Sequence, residues 1–131
     1  MLVRNSSTCP HSRVMDRSVL CELLHPDKTP GTGDLACSIA HAIVPPGETT
    51  LPHILKESTE LYYLLEGTGI ITVGQESSSV GPGDIVLIPP FAVQHIKNTG
   101  DSDLVFLCIV SPKWTAADEC LVALKRDHEK D

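Results

Sequence analysis

The chain reads as an all-β protein, a barrel or sandwich of short strands, and three observations predict this. Apolar segments of about four to eight residues recur from Pro46 to Val110. Their composition is rich in Val and Ile. Glycine and proline turn chemistry separates each segment from the next. Pairing closed on itself removes the open edges that so many strands would otherwise expose.

The 131 residues make one domain, and a domain of this size removes roughly two-thirds of its unfolded surface from water. Residues 1–17 are polar and without periodicity, which predicts a mobile N-terminal arm, and 18–131 form the barrel domain. SVLCELLHP, 18–26, is a short strand or one helical turn that stops at Pro26. PDKTPGTGD, 26–34, is a loop, and LACSIAHAIV, 35–44, is a mostly buried strand. After the Pro45-Pro46-Gly47 turn come LPHIL, ELYYLLEG, GIITV, IVLI, VQHIKN and LVFLCIV. Between them stand Gly67-Thr68-Gly69, Gly74-Gln75, Gly81-Pro82-Gly83-Asp84, Pro89-Pro90 and TGDSD.

Only the C-terminus reads as helix, over about 115–125: Thr115 stands three residues before Asp118, ahead of ECLVALK. The last residues, KRDHEKD, read as a frayed charged tail. Trp114, the single tryptophan, lies between the last strand and this helix, where it seals one end of the barrel or faces a ligand.

The net charge of −7 and the lack of a Lys/Arg cluster argue against a nucleic acid or an anionic membrane surface as partner. The five cysteines have no paired spacing, so they predict buried thiols in a reducing cytoplasm rather than a disulfide framework. No apolar run approaches the ~18 residues of a membrane span.

The central stretch carries a pattern of fixed residues. Gly47, His53, Glu60 and Gly67 stand at the spacing Gly-x5-His-x-x-x4-Glu-x6-Gly, with Leu55 two residues after His53. A second set, Gly83, Pro89 and Asn98, brackets Phe91 and Gln94. Both resemble the two signatures of the cupin family, Gly-x5-His-x-His-x3–4-Glu-x6-Gly and Gly-x5-Pro-x-Gly-x2-His-x3-Asn. Seven of the ten fixed positions match without insertion; Leu55, Phe91 and Gln94 are the departures. Register places Gln94, not His95, at the second histidine position, and a one-residue offset in a strand sends a side chain to the other face. STELYYLLEG, IPP and NTGDSDLVFLCIVSPKW are further similar to mannose-6-phosphate isomerase-type cupins.

The resemblance implies a double-stranded β-helix, or jelly-roll barrel, often a homodimer, with a metal site in one mouth. Family ligand positions fall on His53, Leu55, Glu60 and Gln94. His53, Glu60 and the Gln94 carbonyl would then hold a divalent ion, Zn, Mn, Fe or Ni, in a three-ligand site. The alternative is a metal-free pocket in which His53 and Glu60 form a hydrogen-bonded pair. Tyr62, two residues after Glu60, lines the same cavity or packs as a core aromatic. Leu55 on that face makes the pocket apolar and raises the pKa of Glu60 when no cation is bound, so that Glu60 and Tyr62 become the catalytic pair for proton transfer.

Function follows in two forms. One is an isomerase- or epimerase-like enzyme on a sugar or sugar phosphate, with Lys56 and Lys97 as candidates for phosphate contact. The other is a ligand-binding or sensing protein without metal. Leu61, Tyr63 and Leu65 make the outward face of the Tyr62 strand apolar, which predicts a homodimer through that face.

Overall fold

A computed structural model describes residues 1–123. It consists of a short 3-10 helix, Ser6–Thr8, and eleven strands: β1 Ser12–Arg13, β2 Val19–Leu24, β3 Ser38–Val44, β4 His53–Leu55, β5 Thr59–Glu66, β6 Gly69–Val73, β7 Glu76–Val80, β8 Ile85–Ile88, β9 Gln94–Asn98, β10 Leu104–Ser111 and β11 Glu119–Leu121. Two antiparallel sheets face each other, one ordered β1-β2-β3-β10-β5-β8 and the other β11-β4-β9-β6-β7. Sequence neighbours such as β4 and β5 therefore lie in different sheets, which is the double-stranded β-helix arrangement.

The inner faces follow the strand period of two. In β3, Ser38, Ala40, Ala42 and Val44 are buried while Ile39, His41 and Ile43 are partly exposed. In β5, Glu60, Tyr62 and Leu64 point in; in β9, Gln94, Ile96 and Asn98 do. Register orders these residues along the barrel axis. Val44 lies opposite Leu104 at one end, and Ser38 opposite Val110, itself opposite Glu60, at the other.

Side-chain size changes along that axis. The end holding Val44, Leu64, Ile96 and Leu104 is filled and apolar, each residue at most 1 % exposed. Toward the other end β3 offers only Ala40 and Ser38, and the unfilled volume becomes a cavity. Close packing would otherwise leave voids no larger than a water molecule.

Gly67 shows why the first signature ends in glycine. Its φ is +81°, and a Cβ there would stand 2.5 Å from the Asp103 carbonyl oxygen. Phe91, at the second signature's glycine position, also has a positive φ, +67°. The left-handed turn is kept without the residue that adopts it freely.

Two expectations are corrected. The C-terminal helix of 115–125 does not form among the described residues; 116–118 are a turn and Glu119–Leu121 pair with the open edge of β4. Asp118 is used elsewhere, its carboxylate accepting from the backbone N–H groups of Glu57 and Ser58. Edge pairing thus overrides a short helical pattern; residues 124 and 125 of that helix, and the KRDHEKD tail, lie outside the described residues. Nor do residues 9–17 of the expected arm hang free. β1 pairs with β2, the Asp16 carbonyl accepts from Leu51 N–H, and Cys9 and Asp16 are buried. Polar composition hid this docking, because its hydrogen bonds are mostly made by the backbone.

Candidate functional site

The wide end of the barrel encloses a cavity of about 300 Å³, within the range of small-molecule sites. Its inner wall is built by β5, which delivers Glu60 and Tyr62 two residues apart on one face. Glu60 is 7 % exposed and Tyr62 2 %. Between them sits Gln94 from the opposite sheet, fully buried. Its amide nitrogen donates to Glu60 Oε1 at 2.8 Å, and its oxygen accepts from the Tyr62 hydroxyl at 2.8 Å. This three-residue network ties the sheets together at the cavity.

Burial dominates the titration of Glu60. Removal from water pushes its pKa up to about 8; the Gln94 hydrogen bond opposes the rise, and the nearby Asp16 and Glu119 charges add to it. At pH 7 burial therefore favours the protonated form of Glu60. Burial, with Glu60 beside it, also holds the Tyr62 hydroxyl well above its usual value, so it is a donor at any working pH.

His53 faces the same cavity from β4, opposite Gln94 in the register. Its Nδ1 lies 2.8 Å from the Leu51 carbonyl, which only accepts, so Nδ1 carries the proton. In the neutral ring Nε2 is therefore the unprotonated nitrogen, 3.8 Å from Asp16 Oδ2. Asp16 is held in place by its other oxygen, which accepts from Ser18 N–H and Oγ–H.

The remaining polar lining comes from places that the motif spacing did not reach. Glu119 of β11 accepts from Trp114 Nε1 at 2.8 Å, and Lys28 stands over the Trp114 ring, 5.0 Å from its centroid. Trp114 thus lines the cavity. Glu22 projects from β2. Cys108 also lines the wall, but burial holds its thiol well above the usual range, so no thiolate nucleophile is present. Asp16, Glu22, Lys28 and Glu119 were missed because none lies in a recognised pattern. A lone signal existed for Asp16, in the Asp-x-Ser turn spacing.

Other expected residues lie elsewhere. His95, one position beyond Gln94, is on the opposite face and is not in the cavity wall. Lys56 and Lys97 are exposed and outside the cavity, so neither can bind a phosphate held there. Leu55 shares the inward face of His53 and is 3 % exposed, yet it is packed behind the cavity rather than lining it.

The model of the cupin domain matches residues 40–110, more than half of the chain. The chain belongs to the cupin family. An uncharacterised protein of Methanocaldococcus jannaschii is 41% identical over 103 residues, 79% of this chain and 80% of that one. An oxalate-binding protein of Thermotoga maritima is 27% identical over 112 residues, 84% of this chain and 93% of that one. Among solved structures, the Streptomyces nucleoside dehydratase Pac13 superposes with a TM-score of 0.73 at 18% identity, covering 93% of this chain and 91% of that one. That likeness concerns the fold.

Cupins often bind a metal at the position of this network. The donors of this cupin do not fit one. Of the family's ligand positions only His53 and Glu60 keep a ligating side chain, Leu55 has none, and the Gln94 carbonyl already accepts from Tyr62. The Gln94 N–H group points at Glu60, occupying Oε1 of the carboxylate that would have to ligate. Among the described residues no three His, Cys, Asp or Glu side chains converge on a metal position. At the expected His53, Glu60 and Gln94 site, Glu60 and Gln94 are instead joined to Tyr62 in a hydrogen-bonded network.

Proposed function

We propose that this cupin binds a small polar molecule in the barrel mouth and moves a proton on it without a metal, as an isomerase or epimerase of a sugar-like carbonyl compound would. The observation that carries this is the buried Glu60 carboxyl and the His53 imidazole, its Nδ1 fixed on the Leu51 carbonyl, facing one cavity. Acid and base of opposite readiness, kept apart by their surroundings, are what proton transfer at neutral pH requires.

In the reaction, His53 Nε2 takes the proton from the carbon next to a carbonyl. The C–H electron pair becomes the new C=C bond, and the carbonyl oxygen accepts the Glu60 proton. Gln94, itself fixed by the Tyr62 hydroxyl, holds Glu60 in place. Return of a proton to the other face of that carbon, or to the neighbouring one, gives the epimer or the isomer. The narrower similarity to mannose-6-phosphate isomerase-type cupins is consistent with this chemistry but adds no residue to it.

The test is exchange in D2O. Keto and aldo sugars are incubated with the protein and followed by proton NMR. Loss of the signal of the carbon-bound proton, abolished by Glu60→Gln and by His53→Gln, is the expected result; no exchange with any of them leaves a binding protein instead.

We also propose a homodimer through the outer face of the β5–β8 pair. Tyr63 and Leu65, and Ile85 and Leu87 at 63 % and 64 % exposed, form a continuous apolar patch there. Sedimentation should give a dimer at micromolar concentration and a monomer for Leu87→Glu; a monomeric parent contradicts the proposal. No helix among the described residues is long and apolar enough to cross a membrane. The five free cysteines suit the reducing cytoplasm, where we place the protein.

A further inference from the structure

The charges around the cavity are lopsided. Four acidic side chains line it, Asp16, Glu22, Glu119 and the protonated Glu60, against one lysine, Lys28, and no arginine. Glu60, Asp16 and Glu119 each commit one oxygen to a fixed donor, Gln94, Ser18 and Trp114 respectively. Glu22 Oε2 is buried with no hydrogen-bond partner among the described residues. Its nearest basic group, His25 Nε2, is 3.8 Å away and is spent on the Trp114 carbonyl at 2.7 Å. An unpaired buried acceptor is costly, and the group that relieves it must be a donor.

The lysine shows what the mouth accepts. Lys28 places its ammonium over the Trp114 ring, and its charge acts on Glu22. An aromatic face beside carboxylates is an environment that attracts an ammonium group. The same surroundings repel a dianion, because each carboxylate must either remain charged against it or take up a proton.

We propose that the ligand of this cavity is a small hydroxylated amine, bound as a cation with its ammonium toward Glu22, and not an anion such as oxalate or a sugar phosphate. The inference rests on the reading of the cavity as the ligand site and narrows it. It separates this chain from its Thermotoga maritima relative, which is described as binding oxalate.

Calorimetry and thermal melting of the full chain with glucosamine, glucose, glucose 6-phosphate, ethanolamine and oxalate test it. An amine of this set should bind about tenfold more tightly than glucose, and the two anions more weakly than glucose. Glu22→Gln should bring the amine to within about threefold of glucose. Affinity for ethanolamine, which stays cationic over this range, should rise between pH 6 and pH 8, with proton release on binding, as the cation favours ionised carboxylates.

Binding of oxalate or glucose 6-phosphate as tight as that of the best amine overturns the proposal, and so does the absence of any shift with both amines. Because binding is read without turnover, amine binding without deuterium exchange would sink only the proton-transfer reading. Exchange on a neutral sugar without amine binding would sink only this one.

Discussion

Two buried amides of one strand, Asn98 and Gln94, divide the barrel into a structural end and a chemical end. Both point inward from β9, four residues apart, and both are at most 2 % exposed. Asn98 spends its hydrogen bonds on backbone: its nitrogen donates to the carbonyls of Val44 and Ser102, and its oxygen accepts from Gly100 N–H. Gln94 spends its own on two ionisable side chains, Glu60 and Tyr62. An amide that satisfies backbone fixes loops in place, whereas one that satisfies side chains fixes their protonation and aim. The filled apolar end surrounds the first, and the cavity the second.

The largest effect expected from this contrast is on stability at Asn98. Asn98→Ala takes a partner from the buried Val44 carbonyl and from two part-buried backbone groups, and should cost about 3 kcal/mol. Gln94→Ala should cost about half of that, because cavity water can reach Glu60 and Tyr62, while any proton-exchange activity disappears. Urea denaturation of both variants measures the difference, and equal losses would remove the distinction between the two ends.

Next in size is the pH dependence that Glu60 imposes. Its folded pKa of about 8 lies above the ordinary 4.5, so between those values the folded state holds a proton that the unfolded chain has released. Its contribution is therefore fully present below pH ~4.5 and is lost as pH rises through ~8. Glu60→Gln can keep the bond from Gln94 and has nothing to titrate. The stability gap should move in favour of the variant by on the order of 3 kcal/mol between pH 5 and pH 8.5. Parallel stability curves across that range would place the carboxylate in contact with water.

A smaller effect belongs to the turn leading into β9. Phe91 is 66 % exposed and holds φ +67° where the family motif has glycine. Phe91→Gly should raise stability by about 1 kcal/mol by relieving the left-handed strain. Thermal melting checks it, and a loss would show that the ring contributes packing that outweighs the strain.

Legibility in the sequence follows the same division. Strand periodicity and glycine spacing exposed the barrel; the resemblance to the cupin signatures marked His53, Glu60 and Gln94 as the inward set, and a period of two then placed Tyr62 with them and turned His95 outward. What periodicity does not carry is depth along the barrel axis. Leu55 lies on the correct face yet behind the cavity, since β11 packs alongside β4 with Glu119 opposite Leu55. That pairing, and the docking of residues 9–16, are contacts between distant segments with no local signature. They bring Asp16 and Glu119 to the cavity, so the acidic half of the site was invisible. The Gln94 network was hidden for a different reason, because spacing shows which side chain faces in but not which way its amide turns.

The claim on which the account turns is that Glu60 is a protonated acid at neutral pH rather than a metal-ligating carboxylate. Carbon-13 NMR of the glutamate side-chain carboxyls, assigned by comparison with Glu60→Gln and recorded from pH 4 to pH 10, reads this directly. The account predicts one resonance that titrates near pH 8 and is unmoved by added zinc or nickel. A Glu60 midpoint close to 4.5, or a resonance shifted or broadened by stoichiometric metal, would contradict it.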